Sequence, residues 1–154
     1  MEPSDPFLPA SGCGSPEAFG LPHREPFVFV DVVTRRTPGA EASGTKTFRG
    51  EDPLFAGHFP GNPIVPGVIL TEALAQMAGI AGGGDGRKFL LSAIRSMKFP
   101  AAARPEETIT LHAKRTGAMG GLWIFEVRAA VDERIVAEGQ VVLNEVQTTS
   151  LTNL

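Results

Sequence analysis

The chain has 154 residues, 42% of them hydrophobic and 20% charged, with a formal net charge of −3, which suits one globular domain. That charge argues against nucleic-acid binding, and no apolar run reaches the ~20 residues that a membrane-spanning helix needs. The single cysteine, Cys13, has no partner for an intrachain disulfide and no His or Cys cluster around it for zinc, so no metal site is expected. The first residues lack a basic segment followed by an apolar core, and the expected location is the cytoplasm.

In chain order, residues 1–20 are rich in Pro, Gly, Ser and Ala and read as a flexible N-terminal arm. The β-branched and aromatic run Phe27-Val28-Phe29-Val30-Asp31-Val32-Val33 predicts a buried strand. A weaker strand is expected over Gly44 to Phe48, after the Pro38-Gly39 turn. Gly67 to Ala81 is apolar almost all round and predicts one long buried helix, stopped by Gly82-Gly83-Gly84. Phe89 to Met97 predicts a strand. Thr108 to Arg115 alternates, with Ile109, Leu111 and Ala113 on one face. After a loop over Thr116 to Gly121, Leu122 to Val131 and Ile135 to Leu143 form a hairpin through Asp132-Glu133. The tail 147–154 is polar and expected to fray. One buried helix with a meander of antiparallel strands defines an α+β domain over 21–146, the sheet wrapped around the central helix.

The chemistry concentrates between Ala56 and Gln76. His58 stands in a Pro/Gly-rich loop, and the helix that follows carries a single carboxylate, Glu72. A charge inside an apolar helix is costly unless it is paired or used, and a histidine with an acid can move protons near neutral pH. Gln76 lies four residues beyond Glu72 on the same helix face, where it can orient the acid, although it is equally a packing and hydrogen-bonding group. Gly67 opens the helix; having no side chain, it lets a ligand approach the free N–H groups there, which can polarise a carbonyl oxygen.

Pro60, Pro63 and Pro66 recur every third residue, as polyproline II geometry allows. Extended at ~3.1 Å per residue, the path from His58 to Gly67 spans up to ~28 Å, whereas Glu72 lies only ~7.5 Å into the helix. His58 is therefore expected far from its own Glu72, and a two-fold dimer would present it to the partner's acid.

The motif Gly57-His58-Phe59-Pro60-Gly61-x-Pro63-x-x-Pro66-Gly67-Val68-x-x-x-Glu72-Ala73-x-Ala75-Gln76 closely resembles the signature of FabZ-type 3-hydroxyacyl-[acyl-carrier-protein] dehydratases. A second match, Leu21-Pro22-His23-Arg24-x-Pro26-Phe27, precedes the first strand as in that family. The resemblance implies a hotdog fold, a homodimeric catalytic unit and often a trimer of dimers. It implies a site made of His58 from one subunit and Glu72 from the other, with Gly67 N–H on the thioester carbonyl and Phe59, Val68 and Gln76 lining the substrate. The acyl group would arrive on the phosphopantetheine of acyl-carrier protein, and no metal or redox cofactor is implied. FabA-type dehydratase-isomerases resemble His-Phe-x-Gly-Asp-Pro with an aspartate on the helix; Asn62 and Glu72 in those places favour dehydration without isomerisation.

Two departures stand out. Members generally have tyrosine where Glu25 stands, and this chain has no tyrosine. Their Arg-Phe-Arg-x-Pro-Val-x-Pro-Gly-Asp stretch is reduced to Lys98-Phe99-Pro100-Ala101-Ala102-Ala103-Arg104-Pro105-Glu106. Both bear on substrate choice, and they fit polyketide or polyene synthesis as well as fatty-acid synthesis. Competing readings are a hotdog thioesterase and a non-catalytic acyl-binding subunit of a heterodimeric dehydratase. Outside the motif, His23 reads as a structural histidine, His112 as solvated, Met77, Met97 and Met119 as apolar filling, and Trp123 as packing. Arg87, Lys88, Arg95, Lys98, Arg104, Lys114 and Arg115 are candidates for docking an acidic carrier protein.

Overall fold

The computed structural model describes residues 13–83 and 86–146. Six strands form one antiparallel sheet in the order β1-β2-β4-β5-β6-β3: β1 (Val32–Thr37), β2 (Glu41–Thr47), β3 (Lys88–Lys98), β4 (Thr108–Met119), β5 (Leu122–Val131) and β6 (Arg134–Val146). The short helix α1 (Leu54–Gly57) and the long helix α2 (Gly67–Gly82) lie between β2 and β3 in sequence. Among the described residues no helix is long and apolar enough to cross a membrane.

Alternation in the strands decides what faces α2. Ile109, Leu111 and Ala113 of β4 are buried, and so are Trp123, Phe125, Val127 and Ala129 of β5. Against them α2 places Leu70, Leu74, Met77 and Ile80, each 2% exposed or less. Burial of each such side chain contributes roughly 1.5–3 kcal/mol. Every strand from β2 to β6 touches α2, so the sheet curls around the helix in the hotdog arrangement.

Where the structure departs from the sequence reading, the backbone hydrogen bonds explain why. The buried strand expected over Phe27 to Val33 starts only at Val32. Val28, Phe29 and Val30 are buried as expected, but the Phe27 carbonyl and the Phe29 N–H are taken by the side chain of Gln76 instead of a neighbouring strand. The loop expected over Thr116 to Gly121 shrinks to a turn at Gly120-Gly121. A register shift between Arg115 and Gly117 lets β4 continue to Met119, which pairs with Leu122.

The arm also needs correction. Gly14 and Val33 exchange backbone hydrogen bonds of 2.9 and 2.8 Å, and Pro16–Phe19 forms a 3-10 turn that buries Phe19 under the Arg36 guanidinium. Residues 13–20 thus belong to the packed body. Residues 1–12 and the tail 147–154 lie outside the described residues.

Among the described residues β3 pairs only with β6 and forms one edge of the sheet, with Leu90, Leu91 and Ile94 exposed. An apolar edge with unpaired backbone groups is a ready surface for another chain.

The close seat of α2 on the sheet depends on Gly44 of β2. A Cβ there would lie 2.4 Å from the Val32 carbonyl oxygen and 2.6 Å from Met77 Cε. Gly44→Ala is expected to destabilise the protein by about 1–3 kcal/mol, read as a lower midpoint in thermal or urea unfolding. An unchanged midpoint would show that β1 and Met77 move aside freely.

Candidate active site

Glu72 sits one and a half turns into α2, on the face that also carries Ala75, Gln76 and Gly79. This face lines a cavity of about 130 Å³ closed by Leu21 and His23 on one side and by Phe89 and Leu143 on the other. Gln76, 1% exposed, is held on three sides. Its Oε1 accepts from Phe29 N–H at 2.9 Å, and its Nε2 donates to the Phe27 carbonyl at 3.1 Å and to Glu72 Oε1 at 3.2 Å. Gln76 therefore serves both of the roles open to it, closing the core over residues 27–29 and orienting the acid. His23 Nε2 stands 3.5 Å from the same Glu72 oxygen, and its ring stacks on Phe27 at 6.0 Å. The structural part assigned to His23 thus understates its position beside the acid. The family-like Leu21-Pro22-His23-Arg24 match carried that signal.

His58 follows α1, an element the sequence reading missed, and its ring meets Phe59 edge-on at 4.8 Å. The loop does not extend uniformly. Phe59 has φ +51° and Gly61 φ +85°, and Asn62 N–H returns to the Phe59 carbonyl at 2.9 Å, a tight turn. Polyproline extension therefore applies at most to the stretch after Asn62, about 15 Å to Gly67 instead of the expected ~28 Å. His58 lines a second cavity of about 420 Å³, together with Phe59, Gly67, Leu70 and Phe99. Among the described residues no hydrogen bond or ion pair joins His58 to Glu72, and the two line different cavities of the chain.

Gly67 lines the His58 cavity at the N-terminus of α2, where the first N–H groups have no intrahelical partner. A Cβ on it would meet the Phe99 ring at 3.1 Å. Phe59 and Val68 are 60% and 77% exposed, so these expected substrate contacts face outward in the protomer. Phe99, Ala101, Ala102 and Val136 also line this cavity and were missed as site residues; Phe99 to Ala102 fell in the stretch that departs from the family pattern.

That stretch is pinned at several points. Val65 N–H donates to the Ala103 carbonyl at 2.8 Å, and Arg104 donates to Asn62 Oδ1 at 2.9 Å. Glu107 receives Arg104 N–H at 2.7 Å and pairs with Arg134. Of the basic residues considered for docking, Arg104 is thereby engaged within the loop, Lys88 donates to the Gly20 carbonyl, Arg87 pairs with Glu145, and Arg87 and Arg115 flank Trp123. His112 is not merely solvated but paired with Glu41 at 3.2 Å.

An enclosed helix with one acid, a loop histidine and an apolar cavity beside each define a hotdog protein suited to acyl groups. The sequence comparisons agree. Residues 21–140 match the FabA-like domain. The chain is 40% identical to the 3-hydroxyacyl-[acyl-carrier-protein] dehydratase FabZ of Acetivibrio thermocellus over 125 residues, covering 79% of this chain and 86% of the relative. It is 37% identical to FabZ of Nitratidesulfovibrio vulgaris over 139 residues, 86% of each chain. In fold it is similar to the dehydratase heterocomplex ApeI:P from Xenorhabdus doucetiae, with a TM-score of 0.74 at 15% identity over 91% of this chain and 96% of that one. The chain belongs to the FabA-like family of hotdog proteins, and its FabZ relatives place it among the FabZ-type dehydratases.

Two measurements probe the supports of the site. Gln76→Leu leaves the Phe27 carbonyl and the buried Phe29 N–H unserved, at about 1–3 kcal/mol for the buried donor, and frees Glu72. Both the unfolding midpoint and the activity are expected to fall. The Arg134 side chain, with help from Arg104 N–H, holds the Glu107 carboxyl below its ordinary value of 4.5 against a smaller opposing effect of burial. A lowered folded-state value contributes stability above the ordinary carboxylate range that is lost as pH falls through the folded value. Glu107→Gln should therefore lower stability at neutral pH and show a shallower acid decline than the parent in unfolding series between neutral and strongly acid pH.

Proposed function

We propose that the chain removes water from 3-hydroxyacyl thioesters carried on acyl-carrier protein, giving trans-2-enoyl thioesters. The observation that carries this reading is the division of the chemistry. Glu72 is oriented by Gln76 in one cavity, and His58 waits in another with the helix N-terminus and no acid among the described residues that line it. In a two-fold homodimer, His58 of one protomer would complete the Glu72 site of the other, and each interface would make two sites. The exposed Leu90, Leu91 and Ile94 of β3, with the outward Phe59 and Val68, supply apolar surface for such an assembly. A further association of dimers into a hexamer is compatible with it.

In the proposed reaction the thioester carbonyl accepts from Gly67 N–H, which stabilises enolate-like charge. His58 removes a proton from the carbon next to that carbonyl. The bond between the β-carbon and its hydroxyl breaks, and Glu72 gives the departing oxygen a proton, so that water leaves. Solvent exchange returns the proton gained by His58 and the one lost by Glu72. These steps draw on no metal or redox group. Phosphopantetheine brings the substrate, and exposed basic side chains such as Arg95 and Lys98 are available to an acidic carrier protein. We place the reaction in the cytoplasm, in fatty-acid, polyketide or polyene synthesis.

Incubation with a 3-hydroxyacyl-pantetheine thioester, followed by mass, should show loss of water; release of free acid would instead support a thioesterase. Glu72→Gln and His58→Ala should each lower the rate roughly 10²–10⁴-fold. When the two variants are mixed, verified heterodimers should regain about half the parental rate, since one of their two shared sites is intact. Heterodimers as inactive as either parent variant would place both residues of each site in one chain.

A further inference from the structure

Glu72 presents its two carboxyl oxygens differently. Oε1 faces Gln76 Nε2 at 3.2 Å and His23 Nε2 at 3.5 Å, whereas no hydrogen bond or ion pair to a described residue engages Oε2. The proton to be delivered is therefore best carried on Oε2, and the charge left behind spreads to Oε1. His23 is well fixed for that moment. Its ring stacks on Phe27, and its Nδ1 is buried without a hydrogen-bond partner.

Since Nδ1 is unpartnered in either form, the carboxyl oxygen facing Nε2 decides the tautomer. With the hydrogen on Nδ1, a buried donor would go unpaired and the Nε2 lone pair would face Glu72 Oε1. With the hydrogen on Nε2, Nδ1 is only an unused acceptor, and an N–H points at the carboxylate. The second arrangement leaves Nδ1 no worse than unpaired and replaces a lone pair facing the carboxyl oxygen with a donor. It also improves as Glu72 gives up its proton, because a donor to an ionised oxygen binds more strongly than one to a neutral carboxyl.

We propose that His23 is a positioning residue for the reaction, its Nε2–H receiving, with Gln76, the charge that develops on Glu72 Oε1 as the proton departs. The inference rests on Glu72 being the acid of the dehydration. The 3.5 Å separation in the free protomer is longer than a good hydrogen bond and closes as charge develops. Interactions that strengthen only in the transition state raise kcat and leave substrate binding alone.

Two substitutions separate hydrogen-bond donation from packing. His23→Phe keeps a ring on Phe27 but has no donor, and His23→Gln keeps an amide donor but no ring. With the 3-hydroxydecanoyl thioester of N-acetylcysteamine as probe, His23→Phe should lower kcat roughly 10- to 100-fold, the loss of one hydrogen bond to a charged group. KM should stay within about two-fold, as expected for an interaction absent from the ground state. His23→Gln should recover most of kcat, and both variants should unfold near the parental midpoint. Full kcat in His23→Phe, an equal kcat loss in both variants, or a loss that appears in KM would overturn the proposal. Glu72→Gln in the same assay separates the two levels. If it stays active, the acid assignment itself falls. If it is inactive while His23→Phe is fully active, only the role of His23 falls.

Discussion

Enclosure of α2 is the constraint from which the rest of the molecule follows. A helix gripped by five strands must be apolar wherever the sheet touches it, and Ala73, Leu74, Met77, Ala78, Ile80 and Ala81 all are. The sheet does not close completely around it. The open sector is covered by residues 20–30, an irregular segment whose backbone cannot join a ladder. Gln76 supplies the hydrogen bonds that a neighbouring strand would have supplied, and the stripe it shares with Glu72 is where polar groups on α2 are tolerated. Closing the core and holding the acid are thus one structural act.

This also explains which parts of the fold were legible in the sequence. The α2 helix was plain because a long apolar run ending in glycines has few other readings, and β4, β5 and β6 were plain because alternation or turn residues marked them. The Phe27 to Val33 run misled because burial and strand pairing were treated as one property. Val28, Phe29 and Val30 are buried as a strand's residues would be, yet the Phe29 N–H finds its partner in a side chain 47 positions further on. The loop expected after Arg115 failed for the opposite reason. Three glycines and small residues look like a break, but a register shift absorbs the irregularity and the ladder continues. Residues 13–20 pack through one buried phenylalanine and a short bridge, too sparse a pattern to see in a composition dominated by Pro, Gly and Ser.

The site was legible in its chemical groups and less so in its geometry. His58, Glu72, Gly67 and Gln76 stand out by residue type and spacing. The side chains that shape the His58 cavity from the far side, Phe99, Ala101 and Ala102, do not. They reach it through the Val65–Ala103 and Arg104–Asn62 hydrogen bonds, which join segments about 40 residues apart. No local periodicity encodes such a contact. His23 is the intermediate case, a motif residue whose partner lies on another element and becomes visible only when residues 20–30 fold across the open sector of α2.

Dividing the acid and the base between two cavities has a consequence for how such a site is maintained. The turn at Phe59 to Asn62 keeps His58 beside Gly67, while Gln76 and His23 hold the acid from its own side. In the proposed dimer each half would therefore be fixed by its own chain before a partner arrives, and association would have only to bring together two groups whose orientations are already set. Preorganisation of this kind lets an interface assemble a catalytic site without also having to order it. In the proposed dimer the exposed apolar surface around Phe59, Val68 and β3 would be as much a part of the chemistry as the residues that move the protons.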